Sequence, residues 1–331
     1  MDWELTFIIF IVVVALGFDF INGFHDAANS VATIVSTRVL TPGQAVVWAA
    51  FFNFVAAFGL GIHVANTIGK GVIEASVIDE KVILSALIGA IVWDLITWRL
   101  GLPTSSSHAL IGGLIGAGVA SAGTDVIITN GVERIGAFIV ISPFVGFIAA
   151  VFLALGVMRL YARVAPGSAQ GVFRRLQLVS AAAYSLAHGT NDAQKTMGII
   201  AVLLFSTGHL GSEFHVPFWI VISAHSAIAA RTLAGGWRIV KTMGLRITKL
   251  EPSDGFAAEA SSAAAILFAT QVGIPVSTTQ TIAGGIIGVG STKRLSAVRW
   301  GVALNIVFAW FLTIPASAGV AALTFVITDS F

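Results

Sequence analysis

Ten apolar runs, joined by short polar connections, limit what this chain can fold into. They cover residues 6–35, 44–64, 82–100, 109–128, 136–160, 176–206, 217–235, 256–272, 281–290 and 297–327. Only 10% of the 331 residues are charged, whereas soluble domains carry about 25%. So few charges cannot cover a surface in water, and about 20 apolar residues are enough to cross a bilayer as one helix. The sequence therefore predicts an all-α polytopic membrane protein with about ten to twelve transmembrane segments.

The charges between the runs indicate orientation and exclude some classes of function. Basic residues concentrate in two connections, Arg159–Arg175 and Arg231–Lys249, and such connections are expected on the cytoplasmic side. The net charge of +2 gives no argument for nucleic acid as a partner. The sequence contains no cysteine, which excludes disulfides and thiolate chemistry. Several runs are longer or shorter than one bilayer crossing, so we expect some helices to be broken or re-entrant.

Two stretches of the sequence are near-copies of each other. "PTSSSHALIGGLIGAG" begins at Pro103 and "PVSTTQTIAGGIIGVG" at Pro275, and a second matched pair lies upstream, "NGFHDAANSVAT" from Asn22 and "AHGTNDAQKTMG" from Ala187. Because order and spacing are retained, the chain is a duplication, a common transporter architecture in which discontinuous helices of the two halves meet near the bilayer midplane. We predict two inverted repeats, residues 1–158 and 176–331, each with a re-entrant or broken helical hairpin, joined by a basic cytoplasmic loop at 159–175.

Each near-copy begins with a proline followed by hydroxyl side chains. Pro103 disfavours helix in the residue before it, so we expect the preceding helix to end near Gly101 and a new helix to begin in the hydroxyl cluster. A helix start presents unpaired amide hydrogens and the positive end of the helix dipole, which attract an anion. The predicted anion ligands are Ser105, Ser106, Ser107, Ser277, Thr278 and Thr279. The alternative is that these hydroxyls only cap kinked helices and that the nearby glycines only pack helices.

Polar side chains recur at intervals of three or four residues inside two apolar runs. The stripe of the first copy consists of Asp19, Asn22, Asp26, Asn29 or Ser30, and Thr33, and that of the second consists of Ser185, His188, Asp192, and Lys195 or Thr196. Ionisable groups inside a membrane cost about 3 kcal/mol each and usually mark the path of a substrate or ion. Asp26 and Asp192 are therefore candidates for binding and coupling. A purely structural pair, stabilised by Lys195 and Asn29, is the alternative.

The two carboxylates are expected beside helix starts that bind an anion, and this combination limits which anion can bind. A fully deprotonated anion such as sulfate would be repelled, whereas hydrogen phosphate can donate its protons to Asp26 and Asp192 while it accepts from the hydroxyls. A co-bound cation would also resolve the conflict, so both solutions predict phosphate that moves with positive charge. Glu259 has no counterpart in the first copy and is a candidate proton carrier, with a helix-end role as the alternative. Asp94 is a less favoured candidate of the same kind.

The histidines of the motifs are further candidates for moving protons. His25 and His188 lie within the stripe regions, and His108 follows the first hydroxyl cluster. Imidazoles exchange protons near neutral pH, although a hydrogen-bonding role for each is the alternative. No histidine pair has a spacing that indicates a metal site, so no resident metal and no cofactor are predicted.

The motifs "GFHDAANS", "GTNDAQKT", "PTSSSH" and "PVSTTQ", in that order, resemble those of the inorganic phosphate transporter (Pit) family. The stretches "GWRIVKTMGLRITKLEPSDGFAAEASS" and "NIVFAWFLTIPAS" also resemble its C-terminal half. The resemblance implies a secondary transporter, in the inner membrane of a bacterium, that carries phosphate or a metal–phosphate complex with protons or sodium. It implies a phosphate site at Asp26, Asn29, Asn191 and Asp192 with the two hydroxyl clusters. Ion or proton coupling is then expected at Asp26, Asp192, Glu259, His25 and Asn22, and a homodimer is the expected assembly.

Departures from the family signature bear on coupling. His25 and Lys195 stand where the signature has asparagine, and a titratable histidine with a fixed cation favours the proton-coupled branch. A sulfate permease of the same fold is the alternative that the motifs leave open. A hydrolase based on Ser107 and His108 is disfavoured because adjacent helical residues point about 100° apart. An anion channel is disfavoured because binding by many ligands slows conduction.

Overall fold

The computed structural model describes residues 3–59, 61, 64–65, 72–211, 213–274 and 276–330. Pro275, which aligns with Pro103 in the repeat, lies outside these residues. The described helices are α1 (Trp3–His25), α2 (Ala27–Ser36), α3 (Pro42–Val55), α4 (Glu80–Leu100), α5 (Ser106–Ala122), α6 (Thr129–Leu160), α7 (Pro166–Ser206), α8 (Phe218–Thr232), α9 (Trp237–Lys241), α10 (Pro252–Gln271), α11 (Thr278–Lys293) and α12 (Trp300–Asp329). Extended pairing among the described residues is limited to an isolated bridge between Ile73 and Ile127. The predicted all-α class is confirmed.

Four stretches of helix are long and apolar enough to cross a membrane, namely α1 with α2, α4, α6 and α12. A fifth results if α8 and the segment Trp237–Arg246, which meets it at 63°, form one broken span. Side chains on the outer faces of α6 and α12 include Phe152, 71% exposed, and Phe308, 70% exposed, and exposed apolar surface of this kind suits contact with lipid. The described helices thus support a membrane protein, while the count of ten to twelve segments stays a prediction.

Both near-copies form short helices that begin within the hydroxyl clusters. α4 ends at Leu100, and Gly101 takes the left-handed conformation (φ 70°) that commonly terminates a helix. The helix end near Gly101 therefore agrees with the sequence prediction. α5 then starts after the N-cap Ser105, and α11 starts after the N-cap Ser277. Each short helix is preceded by non-helical chain, so its first turn is free to meet other parts of the molecule.

The connection between the two copies is shorter than the loop predicted at residues 159–175. α6 continues to Leu160 and α7 starts at Pro166, so residues 161–165 form the connection. Proline lacks an amide hydrogen, which the first position of a helix does not need, and its fixed φ suits a helix start. The basic segment after Pro166 is therefore helical. Arg174 in this segment donates to the carbonyl oxygen of Arg38, just beyond α2, at 2.8 Å.

Glycines allow each short helix to approach the backbone of a long helix. A Cβ atom on Gly116 of α5 would lie 2.1 Å from the carbonyl oxygen of Ala318 in α12. A Cβ atom on Gly284 of α11 would lie 2.1 Å from the carbonyl oxygen of Pro143 in α6. Distances this short leave no room for a side chain at either position. Because α6 lies in the first repeat and α12 in the second, each short helix packs on a long helix of the other repeat.

The two polar stripes lie where their helices pass from one apolar cluster to another. Ala15 and Phe18 of α1 belong to one cluster of buried side chains, and Ala28 and Val31 of α2 belong to a second. α7 passes between the same two clusters, since its residues 181–187 contribute to the second cluster and its residues 193–203 to the first. The break between α1 and α2 at Asp26, and residues 188–192 of α7, are therefore at the junction of the two clusters.

Candidate functional site

Ser105 and Ser277 cap the two short helices. The Ser105 Oγ accepts from the amide of His108 at 3.4 Å, and the Ser277 Oγ accepts from the amide of Gln280 at 3.2 Å. Capping engages one hydroxyl of each cluster and leaves the next two in the first turn of their helix. All six hydroxyl side chains are buried. The capping interpretation thus applies to Ser105 and Ser277 and does not account for the remaining four hydroxyls.

The second hydroxyl cluster contacts the aspartates of both copies. Thr278 Oγ1 donates to Asp192 Oδ2 at 3.0 Å, and Thr279 Oγ1 donates to Asp26 Oδ2 at 3.3 Å. Asn29 Nδ2 in turn donates to Thr279 Oγ1 at 2.8 Å. Asp26 and Asp192 are 2% and 1% exposed. The start of α11 therefore joins the two acidic stripes that the sequence placed in separate halves.

Lys195 connects the starts of both short helices to Asp192. Its Nζ donates to Asp192 Oδ1 at 2.5 Å and to the carbonyl oxygen of Val276 at 3.2 Å. The same ammonium group also donates to Ser107 Oγ of α5. Ser107 belongs to the first copy and Val276 to the second, so the two helix starts meet at one buried ion pair. The structure thus brings together the two hydroxyl clusters that the sequence suggested as one site.

Each aspartate also has a histidine beside it. His25 Nδ1 lies 2.8 Å from Asp26 Oδ1, and His188 Nε2 lies 3.0 Å from Asp192 Oδ2. The second nitrogen of His25 lies 3.1 Å from Thr97 Oγ1, and that of His188 lies 3.1 Å from Asn53 Oδ1. The two imidazoles are therefore held between a carboxylate and a neutral polar group.

One ligand atom each from Asp26, His188 and Asp192 lies within 4.8 Å of the other two. Two carboxylate oxygens and an imidazole nitrogen are ligands that divalent cations accept. These three residues come from both copies, so no single stretch of the sequence contains a metal-ligand spacing for all of them. The four-residue interval between His188 and Asp192, which places both on one face of α7, was the signal that could have indicated this group.

Glu259 lies in a separate polar centre. Its carboxyl accepts from Thr33 Oγ1 of α2 at 2.5 Å, and from Gln177 Nε2 at 3.0 Å and Ser180 Oγ at 2.5 Å, both in α7. The residue is 1% exposed and lies inside α10, away from its ends. The alternative of a helix-end glutamate is therefore wrong. Thr33 belongs to the stripe of the first copy, so this centre continues the polar face that also carries Asp26.

Other predicted residues occupy different positions. Asn191, predicted to bind phosphate, donates from Nδ2 to Thr270 Oγ1 of α10 at 2.9 Å. Its amide is thus engaged with α10, because neighbouring residues of a helix point in different directions. Asn22, Ser106 and His108 are buried within the site's helices, and Asp94 is fully buried on α4.

Sequence reasoning missed several polar partners. Asn53 is a lone polar residue in the run "AAFFNFVAAF", and Thr97 and Thr104 both approach His25 Nε2, at 3.1 and 3.3 Å. Gln177 and Ser180 were not linked to Glu259. Asn53 and Thr97 are single polar residues inside apolar stretches, a signal that indicates a buried hydrogen-bond partner without identifying what it contacts.

The comparisons with known proteins agree with one another. The sequence pattern of the phosphate transporter family matches this chain twice, over residues 22–167 and 161–321. The chain is 57% identical to a probable low-affinity inorganic phosphate transporter of Rhizobium meliloti (strain 1021), over 99% of both chains. A protein of the same description from Bacillus subtilis (strain 168) is 41% identical, again over 99% of both chains.

A solved structure is similar across the same length. It is described as the sodium-dependent phosphate transporter, and it superposes with a TM-score of 0.87 at 26% sequence identity. The match covers 98% of this chain and 100% of the other. The sequence relatives and the structural neighbour are thus all described as phosphate transporters.

Proposed function

This chain belongs to the phosphate transporter family, and on that premise we propose that it carries inorganic phosphate across the plasma membrane as a proton-coupled symporter. It is a membrane transporter and not an enzyme, as its relatives and its structural neighbour are. Symport with protons, and the bacterial inner membrane as its location, are parts of the proposal. The observation that carries the proposal is the meeting of Asp26, Asp192 and the hydroxyls of both helix starts in one buried site.

The hydroxyl and amide groups of this site suit an oxyanion. Ser107, Thr278 and Thr279 lie in the first turns of α5 and α11, where helix amides and the helix dipole favour negative charge. Among the described residues, Asn22 Oδ1, Asn29 Oδ1 and Ser30 Oγ are buried without a hydrogen-bond partner. Buried polar atoms normally have partners, so these atoms support a site that a polar substrate completes. A hydrogen phosphate can both donate to such oxygens and accept from hydroxyls.

The charges of the site support coupling to a cation. Asp26 and Asp192 contribute two negative charges, and Lys195 contributes one positive charge. A phosphate anion would add one or two further negative charges to a buried site, where unpaired charge is costly. His25, beside Asp26, is positioned to accept a proton that offsets this charge. Protons therefore suit this site as the coupling ion.

The finer architecture is also proposed. The two successive matches of the family pattern and the exchange of helix partners between the copies support two repeats, which we propose to be inverted. Each repeat would contribute five or six of the ten to twelve segments, with residues 1–158 and 176–331 on either side of the central connection. A divalent metal bound to the phosphate would find ligands at Asp26, His188 and Asp192.

Phosphate uptake into proteoliposomes that contain the purified chain tests the proposal. A pH gradient and a sodium gradient are imposed separately, and wild type is compared with Asp26→Asn. We expect the pH gradient alone to drive accumulation and the substitution to abolish it. Asp125→Asn, which alters an exposed acid, is the matched control and should transport as wild type does. Uptake that requires sodium alone would contradict proton coupling, and absence of uptake would contradict phosphate transport.

Sulfate uptake is the competing function within the same fold. Counterflow distinguishes the two anions, since internal unlabelled substrate drives entry of labelled substrate without any ion gradient. We expect internal phosphate, and not internal sulfate, to drive entry of labelled phosphate, because sulfate has no proton to donate to Asp26 or Asp192 near neutral pH. Equal counterflow with both anions would contradict the selectivity proposed for the two carboxylates.

A further inference from the structure

The ammonium group of Lys195 is surrounded by oxygen atoms. Its Nζ contacts the Asp192 carboxylate, the Ser107 hydroxyl and the Val276 carbonyl, and the side chain is 2% exposed. Carboxylate, hydroxyl and backbone carbonyl oxygens are the ligands that proteins offer to hard metal cations. Val276 lies in the non-helical chain before α11, and carbonyls of unwound segments coordinate transported ions in carriers built from repeats. The ammonium thus occupies surroundings that would suit a small cation.

The duplication supplies an internal comparison at the matching position. Asn29 follows Asp26 at the same interval as Lys195 follows Asp192. It is equally buried, its Nδ2 donates to Thr279 Oγ1 at 2.8 Å, and its Oδ1 has no partner among the described residues. The first copy therefore has a carboxylate and an unpartnered amide oxygen at the position where the second copy has an ion pair.

We propose that the Lys195 ammonium is a built-in substitute for a transported cation on the Asp192 side of the site. The inference rests on the proposed phosphate symport and deepens it. Lys195 neutralises Asp192 throughout the transport cycle, so this side contributes no cation to the transported charge. The Asp26 side, with Asn29 in place of a lysine, remains the side that exchanges a proton or an alkali cation. Lys195 thereby sets how many cations accompany each phosphate.

Asparagine at position 195 would restore a cation site with ligands that are already in place. The carboxylate of Asp192, the Ser107 hydroxyl and the Val276 carbonyl would remain, and the asparagine amide would add a fourth oxygen. Asp192 would then be a buried carboxylate without its fixed counterion, a costly state unless a mobile cation joins it. Lys195→Met removes the ammonium group without adding an oxygen ligand, which makes it the matched control.

The stoichiometry of transport tests the inference. The membrane potential at which net phosphate flux reverses gives the charge moved per phosphate in proteoliposomes with fixed gradients. We expect Lys195→Asn to move one more positive charge per phosphate than wild type. Lys249→Asn, which removes an exposed lysine, should leave the ratio unchanged. An unchanged ratio in Lys195→Asn, or the same increase in Lys249→Asn, would overturn the inference.

Cation binding gives a second measurement that does not depend on transport. Thermal unfolding of the purified variants is followed at constant pH with sodium, with potassium and without either cation. We expect the Tm of Lys195→Asn to rise by several degrees with sodium or potassium, while wild type and Lys195→Met change much less, because a bound cation stabilises the folded state. If Lys195→Asn gains no cation-dependent shift, or Lys195→Met gains the same shift, the inference is wrong.

The two measurements separate this inference from the proposed function. If wild-type vesicles take up no phosphate, the proposed function fails, and the unfolding experiment still decides whether position 195 can hold a mobile cation. If wild type transports phosphate but Lys195→Asn shows neither the added charge nor the cation-dependent Tm, the inference alone fails.

Discussion

Two aspartates at equivalent positions of the duplicated sequence have different neighbours. Asp192 contacts Lys195, His188 and Thr278, so its charge has a fixed counterion inside the protein. Asp26 contacts His25 and Thr279, and its positive partner is present only when the imidazole is protonated. The copies therefore share residue types at the site but differ in charge pairing, because the lysine beside Asp192 has no counterpart beside Asp26.

This difference predicts unequal effects of Asp192→Asn and Asp26→Asn on stability. Asp192→Asn leaves the buried Lys195 ammonium without its carboxylate, and breaking a buried pair from one side costs about 3–5 kcal/mol. Asp26→Asn leaves no fixed charge behind, because His25 can be neutral. Thermal unfolding in detergent should show the lower Tm for Asp192→Asn, with Asp125→Asn unchanged. A larger loss for Asp26→Asn would contradict the assigned pairing.

The position of Glu259 predicts that its substitution affects gradient-driven accumulation of phosphate and counterflow exchange of phosphate differently. Its carboxyl is joined by three donors to α2 and α7 and lies outside the group formed by Asp26, Asp192 and the hydroxyls. If it carries the coupling proton, Glu259→Gln should lose accumulation driven by a pH gradient but retain counterflow exchange of labelled phosphate, which needs no net proton movement. Glu133→Gln, on the exposed surface of α6, should retain both. Gradient-driven accumulation by Glu259→Gln would show that the coupling proton does not depend on this carboxyl.

At the scale of helices, local chemistry was enough to predict where the short helix α5 begins, but it did not predict the break between α1 and α2. Pro103 and the hydroxyls after it were sufficient to predict the end of α4 and the start of α5, because their effects act within a few residues. The stripe around Asp26 has the same periodicity as that around Asp192, yet the helix is interrupted at Asp26 and continuous at Asp192. The contacts at the break, from Thr97 and Thr279, come from distant parts of the chain, which periodicity does not contain.

The glycine contacts of the short helices predict a specific loss of packing. Gly116 and Gly284 have no room for a Cβ atom against α12 and α6, so Gly116→Ala and Gly284→Ala should force these helices apart. Overpacking of this kind costs about 1–3 kcal/mol, which thermal unfolding would register as a lower Tm. Gly156→Ala is the control, because nothing lies within 4 Å of a Cβ atom built there. Equal stability of all three variants would contradict the close approach of the backbones.

Across the whole molecule, a second pair of close helix contacts joins the first copy to the second. A Cβ atom on Gly23 of α1 would lie 2.4 Å from the carbonyl oxygen of Ile228 in α8, and one on Gly189 of α7 would lie 2.8 Å from that of Asn53 in α3. Repetition of the motifs was visible in the sequence, but these contacts were not, because they depend on which helices pack in three dimensions. The contact of Lys195 with Ser107 was beyond sequence reasoning for the same reason, since its partners come from different copies.

Burial of the site predicts that phosphate reaches it only when the two halves move. Ser106, at the start of α5, is 1% exposed, and Asp26, Asp192 and Lys195 are no more than 2% exposed. The sequence has no cysteine, so a single introduced thiol reports its own accessibility. A thiol-reactive, membrane-permeant reagent should modify Ser106→Cys about 100-fold more slowly than Ser168→Cys, because a buried thiol reacts only while the site is open. Ser168 is exposed at the start of α7 and serves as the control.

Phosphate supplied with a pH gradient should change the rate of modification at Ser106→Cys and leave the rate at Ser168→Cys constant. Equal, phosphate-independent rates at both positions would mean that the site is open to solvent without any movement of the halves.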